Sequence, residues 1–521
     1  MSTMREPIDF RGRSAEVPAE MSAAMRQATA RTGRSRAEVV AAFGNERWQA
    51  QRRAGQAIRM DTLLHLDQHL TTLEAAISAA GGHVHWAADA ESARTIVLEI
   101  AQAHGVTSIV KSKSWTAKEI ELEAALRAAG MNVLETDLGD YIVQLAGPRL
   151  PKHIVPAAQL TRQCIADLFR QELGVAIAGG PAADPAPEPQ TLTLIARERL
   201  RAAFLAADMG LTGANFMVAE SGTLVMVTNE GNGRMCATVP PLQVVLVPIT
   251  KVVPDWAGLA VLLDLLPRVA TGQKMTSYVQ FMHGPRANTD GYGPRELHVV
   301  LIDNGRSKLL GDEMGRRTLC CIRCEACLHV CPVYNTVGGD SYGWVQPGPI
   351  GAILAPQVLG LNVAHALPFA STLCGACNDV CPVMVPFTEV LLNLRSKVVA
   401  GDGGNPPAVS PVVVTGATMA AAVLSSPVLY RGAAQAAAVL QTPWRKGDWL
   451  AALPPPMARW TAVRPLPVVS TAFRRAWHAR AKDSSLGAPL SRARRGLAWA
   501  AALLVAGGLA AWLGHRRRGV G

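Results

Sequence analysis

The sequence predicts an α/β domain with a largely parallel sheet, followed by a small cysteine-rich domain and a helical tail. Three observations lead to this prediction. Helical and strand patterns alternate between about residues 59 and 305. Eight of the ten cysteines lie between Cys320 and Cys381. Basic residues are concentrated at the end, since Gln441 to Gly521 contains fourteen Lys or Arg and two acidic residues.

The composition excludes several classes of protein. Of 521 residues, 49% are hydrophobic and 17% are charged, which is enough apolar material for full-sized cores and too much for a disordered chain. Aromatic residues at 5% and a nearly neutral body argue against a nucleic-acid partner. The first residues contain no apolar signal segment, and the cysteines are clustered rather than spread. We therefore expect a cytoplasmic body with reduced thiols.

The elements follow in order along the chain. Residues 1–58 are predicted as a helical lead-in, and 59–305 as the α/β domain. Strands are expected in HVHWA, TSIVK and MNVLET, and one amphipathic helix is expected in AKEIELEAALRAAG. A Pro-rich insertion covers 179–190, since proline continues neither helix nor ladder. Beyond it we expect a helix over 192–207, strands in NFMVAE and TLVMVT around a turn at 220–222, and strands in LQVVLVPIT and ELHVVLID.

Two cysteine motifs occupy the next predicted domain, 306–400. The first has the spacing C-x2-C-x2-C-x3-C-P, by which a bacterial ferredoxin loop binds one [4Fe-4S] cluster with three thiolates and a neighbouring cluster with the fourth. The second repeats this spacing without its first cysteine, and Ser371 stands in that place. The crossed pattern predicts two [4Fe-4S] clusters: cluster I bound by Cys321, Cys324, Cys327 and Cys381, and cluster II bound by Cys331, Cys374 and Cys377.

The second cluster is one protein thiolate short. Its fourth iron could be bound by a non-cysteine group, by a ligand from a partner, or be labile and leave a three-iron form. A zinc site is disfavoured, because four-ligand zinc sites give no reason for the same run to occur twice. Cys320 is out of register and is expected to be a spare thiol, while Cys164 and Cys236 are expected to be buried or incidental.

At these residues the chain resembles lactate utilization protein B, an iron-sulfur protein family that includes YkgF-like proteins. The matching segments include VKSKSW, ETDLGDYIVQL, PKHIVPAA, GLTGANFMVAESGTLVMVTNEGNGR, CIRCEACLHVCPVY and LCGACNDVCPV. The resemblance implies a LUD domain of the NagB/RpiA/CoA-transferase type and an α-helical, ferredoxin-like double-cluster domain. The chain departs from the family pattern at Trp115, where Met is usual, and at Glu325, where Gly is usual.

The resemblance also implies a function and partners. The family is an iron-sulfur electron-transfer subunit of a multi-protein system that oxidises L-lactate to pyruvate. Its partners are a heterodisulfide-reductase-like Cys-rich subunit and a second LUD protein. The alternative is a LUD-type ligand-binding protein whose clusters sense redox state and regulate metabolism.

A second group of candidate residues lies in the α/β domain. Polar side chains follow apolar runs, as at an anion-binding turn after a strand. A ligand pocket is predicted from Lys111, Lys113, Glu135, Asp137, Asn229 and Glu230. The alternative for each is a turn or capping role, and Asn229-Glu230-Gly231 has the composition of a tight turn.

The tail carries the prediction of membrane attachment. Residues 401–495 are expected to form a helical, Pro-rich basic extension. Residues 496–514 are uncharged and span nineteen positions, close to the ~20 needed to cross a bilayer core. Arginines flank this stretch on both sides, and Trp499 and Trp512 lie near its ends. We expect an anchor at the cytoplasmic membrane, and the alternative is an Ala-rich helix docked on the body.

Overall fold

The computed structural model describes residues 6–147, 160–177, 187–287, 291–401, 411–454, 458–461 and 464–468. The chain divides into two compact units, Met1–Ala408 and Val409–Gly521.

Helices and strands are numbered in chain order. The helices of the first unit are α1 (Phe10–Ala15), α2 (Ala19–Phe43), α3 (Asn45–Leu64), α4 (Leu66–Ala79), α5 (Ala90–Ala103), α6 (Trp115–Glu119), α7 (Leu122–Ala128), α8 (Leu138–Ala146), α9 (Arg162–Leu173), α10 (Pro189–Ala206), α11 (Asn232–Thr238), α12 (Trp256–Ala270), α13 (Glu313–Leu319), α14 (Ala326–His329), α15 (Tyr334–Val337), α16 (Gly348–Val358), α17 (Leu361–Ala364), α18 (Ala376–Val380) and α19 (Phe387–Ala400).

A six-stranded parallel sheet forms the centre of the first unit. Its strands are β1 (His83–Ala87), β2 (Ser108–Lys111), β3 (Asn132–Glu135), β4 (Met209–Gly213), β7 (Leu242–Pro248) and β10 (Glu296–Ile302), in the spatial order β1-β10-β7-β4-β2-β3. Every neighbouring pair is parallel. All seven residues of β7 are buried, as expected for a strand covered by helices on both faces. The predicted α/β fold is confirmed.

A smaller sheet lies beside the first. It contains β5 (Phe216–Val218), β6 (Thr223–Thr228), β8 (Val252–Val253) and β9 (Tyr278–Met282) in the order β8-β5-β6-β9. Strands β5 and β6 are antiparallel around the predicted turn at 220–222. Most of the predicted Pro-rich insertion, residues 179–186 of 179–190, lies outside the described residues, and α10 begins at Pro189.

The helix predicted for residues 117–130 was wrong as a single element. The structure has two short helices, α6 and α7, separated at Glu121, which has a φ of 53°. Ile120 and Leu122 are both buried in the core. Residues two apart on one continuous helix face opposite sides, so burying both side chains requires the break.

The amino-terminal helices belong to the body of the first unit. The boundary predicted at residue 58 falls inside α3, which runs from Asn45 to Leu64. Helix α3 passes close to α12, because a Cβ on Gly55 would lie only 2.6 Å from the Leu265 side chain. Its buried residues include Trp48 and two arginines described below. The lead-in is therefore a packed layer of the structure.

The cysteine-rich region has an apolar core of its own. Nine of the eleven residues of α16 are buried, and α19 contributes Val390, Leu391 and Leu394. Helices α13 and α18 carry the cysteine loops at their ends. This region therefore has apolar packing of its own, and a bound metal would add to its stability.

The second unit begins with two helices, α20 (Pro411–Ser425) and α21 (Pro427–Leu440), separated at Ser426 as predicted. A three-stranded antiparallel sheet follows, formed by β11 (Arg445–Lys446), β12 (Trp449–Leu450) and β13 (Leu466–Pro467). The predicted anchor at 496–514 lies outside the described residues. Among the helices that are described, none combines the length and apolarity needed to cross a bilayer.

Candidate functional site

The first group of predicted ligands surrounds one cavity. Cys321, Cys324 and Cys327 from the first motif and Cys381 from the second all line it. Cys321 is half-buried and the other three are buried. The structure thus brings together four thiols from two distant parts of the chain, which is the arrangement that a four-thiolate cluster requires.

The two cysteine loops repeat an uncommon backbone conformation. Arg323 and Glu325, which flank Cys324, have φ values of 63° and 62°. Leu373 and Gly375, at the equivalent positions of the second motif, have φ values of 55° and 82°. A positive φ costs about 1 kcal/mol or more at a residue other than glycine, so its recurrence indicates that the surrounding fold imposes the loop shape. It also explains why Gly is the less strained choice at the position of Glu325.

The second group of predicted ligands lies nearer to the surface. Cys331 and Cys377 are buried, whereas Cys374 is exposed. Burial, with a further contribution from the neighbouring Cys331, raises the pKa of Cys377 to about 12. The hydroxyl of Ser371, at the place of the missing cysteine, accepts a hydrogen bond from the Leu373 amide at 3.1 Å. Three thiols are therefore assembled, with one of them open to solvent.

The remaining cysteines lie apart from both groups. Cys320 is buried beside the first loop but does not line the cavity. Cys236 is buried with its sulfur 3.3 Å from the Thr136 hydroxyl, and Cys164 is exposed on α9.

Burial raises the pKa of most of the thiols in both groups, and Cys374 is an exception. Burial raises the pKa of Cys324 and Cys327, and raises that of Cys381 to about 12. These thiols would release protons on binding iron, since the thiolate is the ligand. A hydrogen bond from the Ala376 amide lowers the pKa of exposed Cys374.

Buried cations surround the first group. Arg59 of α3 is 1% exposed and donates to the backbone carbonyls of Val252 at 2.9 Å and Cys320 at 3.3 Å. Lys251 donates to the carbonyl of Ile322 at 3.2 Å. Burial, reinforced by neighbouring arginines, lowers the pKa of Lys251 to about 7. Both side chains thus hold the backbone next to the first cysteine loop.

Two more arginines come from the amino-terminal helices. Arg52 donates to the carbonyls of Cys381 at 2.8 Å and Asn378 at 3.0 Å. Arg36 is buried, and its Nη1 has no hydrogen-bond partner among the described residues. The sequence analysis missed both residues, as it missed Arg59. The available signal was the spacing of Arg52 and Arg59, which places them on one helix face two turns apart.

This charge distribution fits an iron-sulfur cluster. Carbonyl oxygens satisfy hydrogen bonds but leave the positive charge of Arg59 uncompensated, and burial without an anion disfavours the charged form of Lys251. The buried carboxylates among the described residues pair elsewhere, as Glu119 does with Arg306 at 2.7 Å. A cluster held by four thiolates is anionic, so it would supply the missing counter-charge. The residues around the cavity are therefore suited to hold one.

The second candidate site lies at the carboxyl ends of β2 and β3. Lys111 Nζ is 2.6 Å from Glu135 Oε1, and both side chains are buried. Lys118 pairs with Asp140 at 2.8 Å. Burial raises the pKa of Glu135. Ser112 Oγ, Glu135 Oε2 and Asp140 Oδ2 are buried without a hydrogen-bond partner in the described part of the chain.

The other predicted pocket residues divide into two sets. Asp137 caps α8, and Glu230 lies close enough that burial and the Asp137 charge raise its pKa, while Lys113 opposes that shift. Asn229 instead donates to Gln273 at 2.8 Å, which links its turn to the segment before β9. The structure therefore places five of the six predicted residues in one polar group and gives Asn229 a turn contact.

The polar group touches the first cysteine loop. Burial raises the pKa of the Glu325 carboxyl, while the neighbouring Lys113 and Trp115 oppose that shift, and the Lys113 Nζ lies 5.7 Å from the centre of the Trp115 ring. The α/β domain and the cysteine loops are thereby joined.

Replacing Glu135 by Gln is expected to destabilise the protein by about 3–5 kcal/mol, because it leaves the buried Lys111 charge without its anion. Urea unfolding of the cluster-loaded protein measures the change. The double replacement Lys111→Met with Glu135→Leu should recover most of the loss. Equal losses in the single and double variants would contradict the ion-pair explanation.

Comparisons with known families match both parts of the first unit. Residues 70–302 match the model of the LUD domain, and residues 317–385 match the 4Fe-4S dicluster domain. The first unit therefore contains a LUD domain followed by a 4Fe-4S domain.

Curated relatives cover most of the chain. A lactate utilization protein B from Macrococcus caseolyticus is 44% identical over 69% of this chain and 74% of its own length. One from Geobacillus sp. is 40% identical over 88% and 93%, and one from Bacillus subtilis is 37% identical over 89% and 94%. A solved structure of a DUF162 family protein from Deinococcus radiodurans covers 46% of this chain and 98% of its own, at 16% identity and a TM-score of 0.25.

Proposed function

This chain belongs to the lactate utilization protein B family, and we propose that it is the iron-sulfur electron-transfer subunit of a multi-protein system that oxidises L-lactate, or a similar 2-hydroxy acid, to pyruvate. The observation that carries the proposal is the arrangement of the cysteines. One group is buried under the amino-terminal helices, and the adjoining group ends at exposed Cys374. The two groups could thus pass electrons from the protein interior to its surface.

Converting lactate to pyruvate releases two electrons and two protons. Each [4Fe-4S] cluster, when bound, accepts one electron, so two clusters accommodate the pair. We propose that Cys321, Cys324, Cys327 and Cys381 hold cluster I, and that Cys331, Cys374 and Cys377 hold cluster II. Buried Arg59, and Lys251 in its protonated form, would stabilise the added negative charge of a reduced cluster I.

The net charge of the polar group argues against lactate binding there. Lys111, Lys113 and Lys118 are set against Glu135, Asp137, Asp140 and Glu230, so the group has no cationic excess that would attract a carboxylate substrate. We therefore propose electron transport for this chain and place the cleavage of the lactate C–H bond in a partner. The partners proposed are a heterodisulfide-reductase-like Cys-rich subunit and a second LUD protein.

Exposed Cys374 is the proposed point of electron exchange with a partner. It is the only ligand of the second group that faces solvent among the described residues. A partner docking there would shorten the path to cluster II. It could also supply the ligand that stands in for the missing cysteine at Ser371.

A test of the function uses a strain in which the gene is deleted. Growth on L-lactate as sole carbon source should be lost and should return with the wild-type gene. The Cys324→Ser variant should fail to restore growth, whereas Cys320→Ser, a buried cysteine next to the same loop, should restore it. Full growth with Cys324→Ser would sink the electron-transfer proposal.

The second candidate is a redox-sensing regulator, which the exposed, three-cysteine second group favours. A sensor requires a labile cluster and no turnover. Anaerobic mixing with lactate and purified partners distinguishes the two functions. Reversible reduction of the clusters supports electron transfer, and iron loss in air that changes the expression of lactate genes supports sensing.

Membrane attachment is proposed from the tail. Truncation after residue 440 is expected to keep the iron content and to release the protein from membranes, because the basic excess and the uncharged stretch both lie beyond that point. Salt and carbonate washing followed by immunoblotting measures it. Extraction by salt indicates electrostatic attachment, and resistance to carbonate indicates an inserted helix. Absence of the full-length protein from unwashed membranes would refute the proposal.

A further inference from the structure

Four histidines and a glutamate gather at the amino-terminal edge of the parallel sheet. His83 begins β1, and its partner in the register of β10 is His298. Glu296 begins β10 on the same face, and His104 ends α5 above it. This edge is opposite to the one at which Lys111 ends β2. The group is therefore separate from the cysteine loops and the polar group.

Three of these residues present ligand atoms to a common point. One atom each from His83, Glu296 and His298 lies within 4.8 Å of the other two. The His298 Nε2 is 3.6 Å from the Glu296 carboxylate. Ligand atoms of a tetrahedral zinc ion lie about 3.3 Å apart, as bond lengths of about 2.0 Å dictate. Small side-chain rotations would close the remaining gap.

The unsatisfied atom at the centre is the Nε2 of His298. This side chain is 7% exposed, and among the described residues its Nε2 has no hydrogen-bond partner. When its ring proton is on Nδ1, this buried nitrogen has a lone pair that is available to a metal ion.

Two further side chains orient this set. His85 Nε2 lies 3.0 Å from His298 Nδ1, which leaves the His298 Nε2 free for a metal when Nδ1 carries the proton. His104 Nε2 lies 2.9 Å from one oxygen of Glu296. Hydrogen bonds of this kind fix the tautomer and the direction of metal ligands.

We propose that His83, Glu296 and His298 form a zinc site, oriented by His85 and His104 and independent of the iron-sulfur clusters. Two imidazoles and a carboxylate are a ligand set that Zn²⁺ adopts, with water in the fourth position. His83 is exposed and His298 is buried, so the ion would lie at the surface with its fourth position toward solvent. It would also tie edge strand β1 to β10.

The test uses the full-length protein with its clusters assembled anaerobically, because free thiols would bind zinc themselves. Zinc is added against a competing chelator, and zinc and iron are counted by mass spectrometry. One zinc per chain is expected beyond the iron complement. X-ray absorption at the zinc edge should show nitrogen and oxygen ligands at about 2.0–2.1 Å, and sulfur ligands at about 2.3 Å would overturn the proposal.

Variants separate this site from other binding. His298→Gln should lose the zinc while keeping the iron, and His85→Ala should weaken zinc affinity by about 10- to 100-fold. His65→Gln, at an exposed histidine between α3 and α4, is the matched control and should bind zinc as the wild type does. Equal zinc uptake by wild type and His298→Gln, or no uptake by the wild type, would overturn the site.

Discussion

If the protein holds the two proposed clusters, about eight irons are expected after anaerobic purification, and the Cys381→Ser variant is expected to lose about four of them although Cys381 belongs to the second cysteine motif. The reason is that this thiol lines the cavity of Cys321, Cys324 and Cys327. Iron and sulfide assays give the count. Electron paramagnetic resonance of the reduced protein shows which cluster remains.

The matched control is Cys320→Ser, since Cys320 is buried next to the first loop but does not line the cavity. It should keep the full iron complement. A Cys381→Ser protein that lost only the signal of cluster II would refute the crossed assignment. A total of four irons in the wild type, unchanged by Cys374→Ser, would remove cluster II.

Replacing Arg59 by Met is expected to lower both the stability of the protein and the reduction potential of cluster I. The change leaves the buried carbonyls of Val252 and Cys320 without their donor, which costs at least about 3 kcal/mol. It also removes a buried positive charge that favours the more negative, reduced cluster. Chemical unfolding and an anaerobic redox titration measure the two effects.

Two variants separate charge from packing at this position. Arg59→Lys keeps the charge and should hold the potential closer to that of the wild type while still losing stability. Arg53→Met, at an exposed arginine on the same helix, should change neither quantity beyond about 0.5 kcal/mol in stability. An unchanged potential in Arg59→Met would show that its charge does not act on the cluster.

The buried arginines also give the amino-terminal helices a role. Arg52 donates to the carbonyl of Cys381 in the second motif, and Arg59 donates to the carbonyl of Cys320, directly before the first motif, so one helix face contacts the backbone at both. The two motifs are far apart in the sequence. Helix α3 therefore helps to hold the loops in the relative position that a shared ligand set requires.

The sequence by itself determined the features that depend on local pattern. Alternating helix and strand periodicity predicted the parallel sheet, and the spacing of the cysteines predicted a 4Fe-4S domain, because thiolate ligands must recur at intervals that let a short loop surround a cluster. Turn residues correctly placed the β5–β6 hairpin and the break at Ser426.

Only the tertiary structure decided the features that depend on distant segments. The burial of Ile120 and Leu122 in one core broke a helix that the local pattern favours. Arg59 looks like a solvated helix residue until its carbonyl partners, about 190 and 260 positions away, are in place. The Lys251 ammonium, which donates to the carbonyl of Ile322 about 70 positions away, joins the two domains in the same way. A charged side chain meets such a distant partner only when the chain folds, so the periodicity and spacing of the sequence do not predict the pairing.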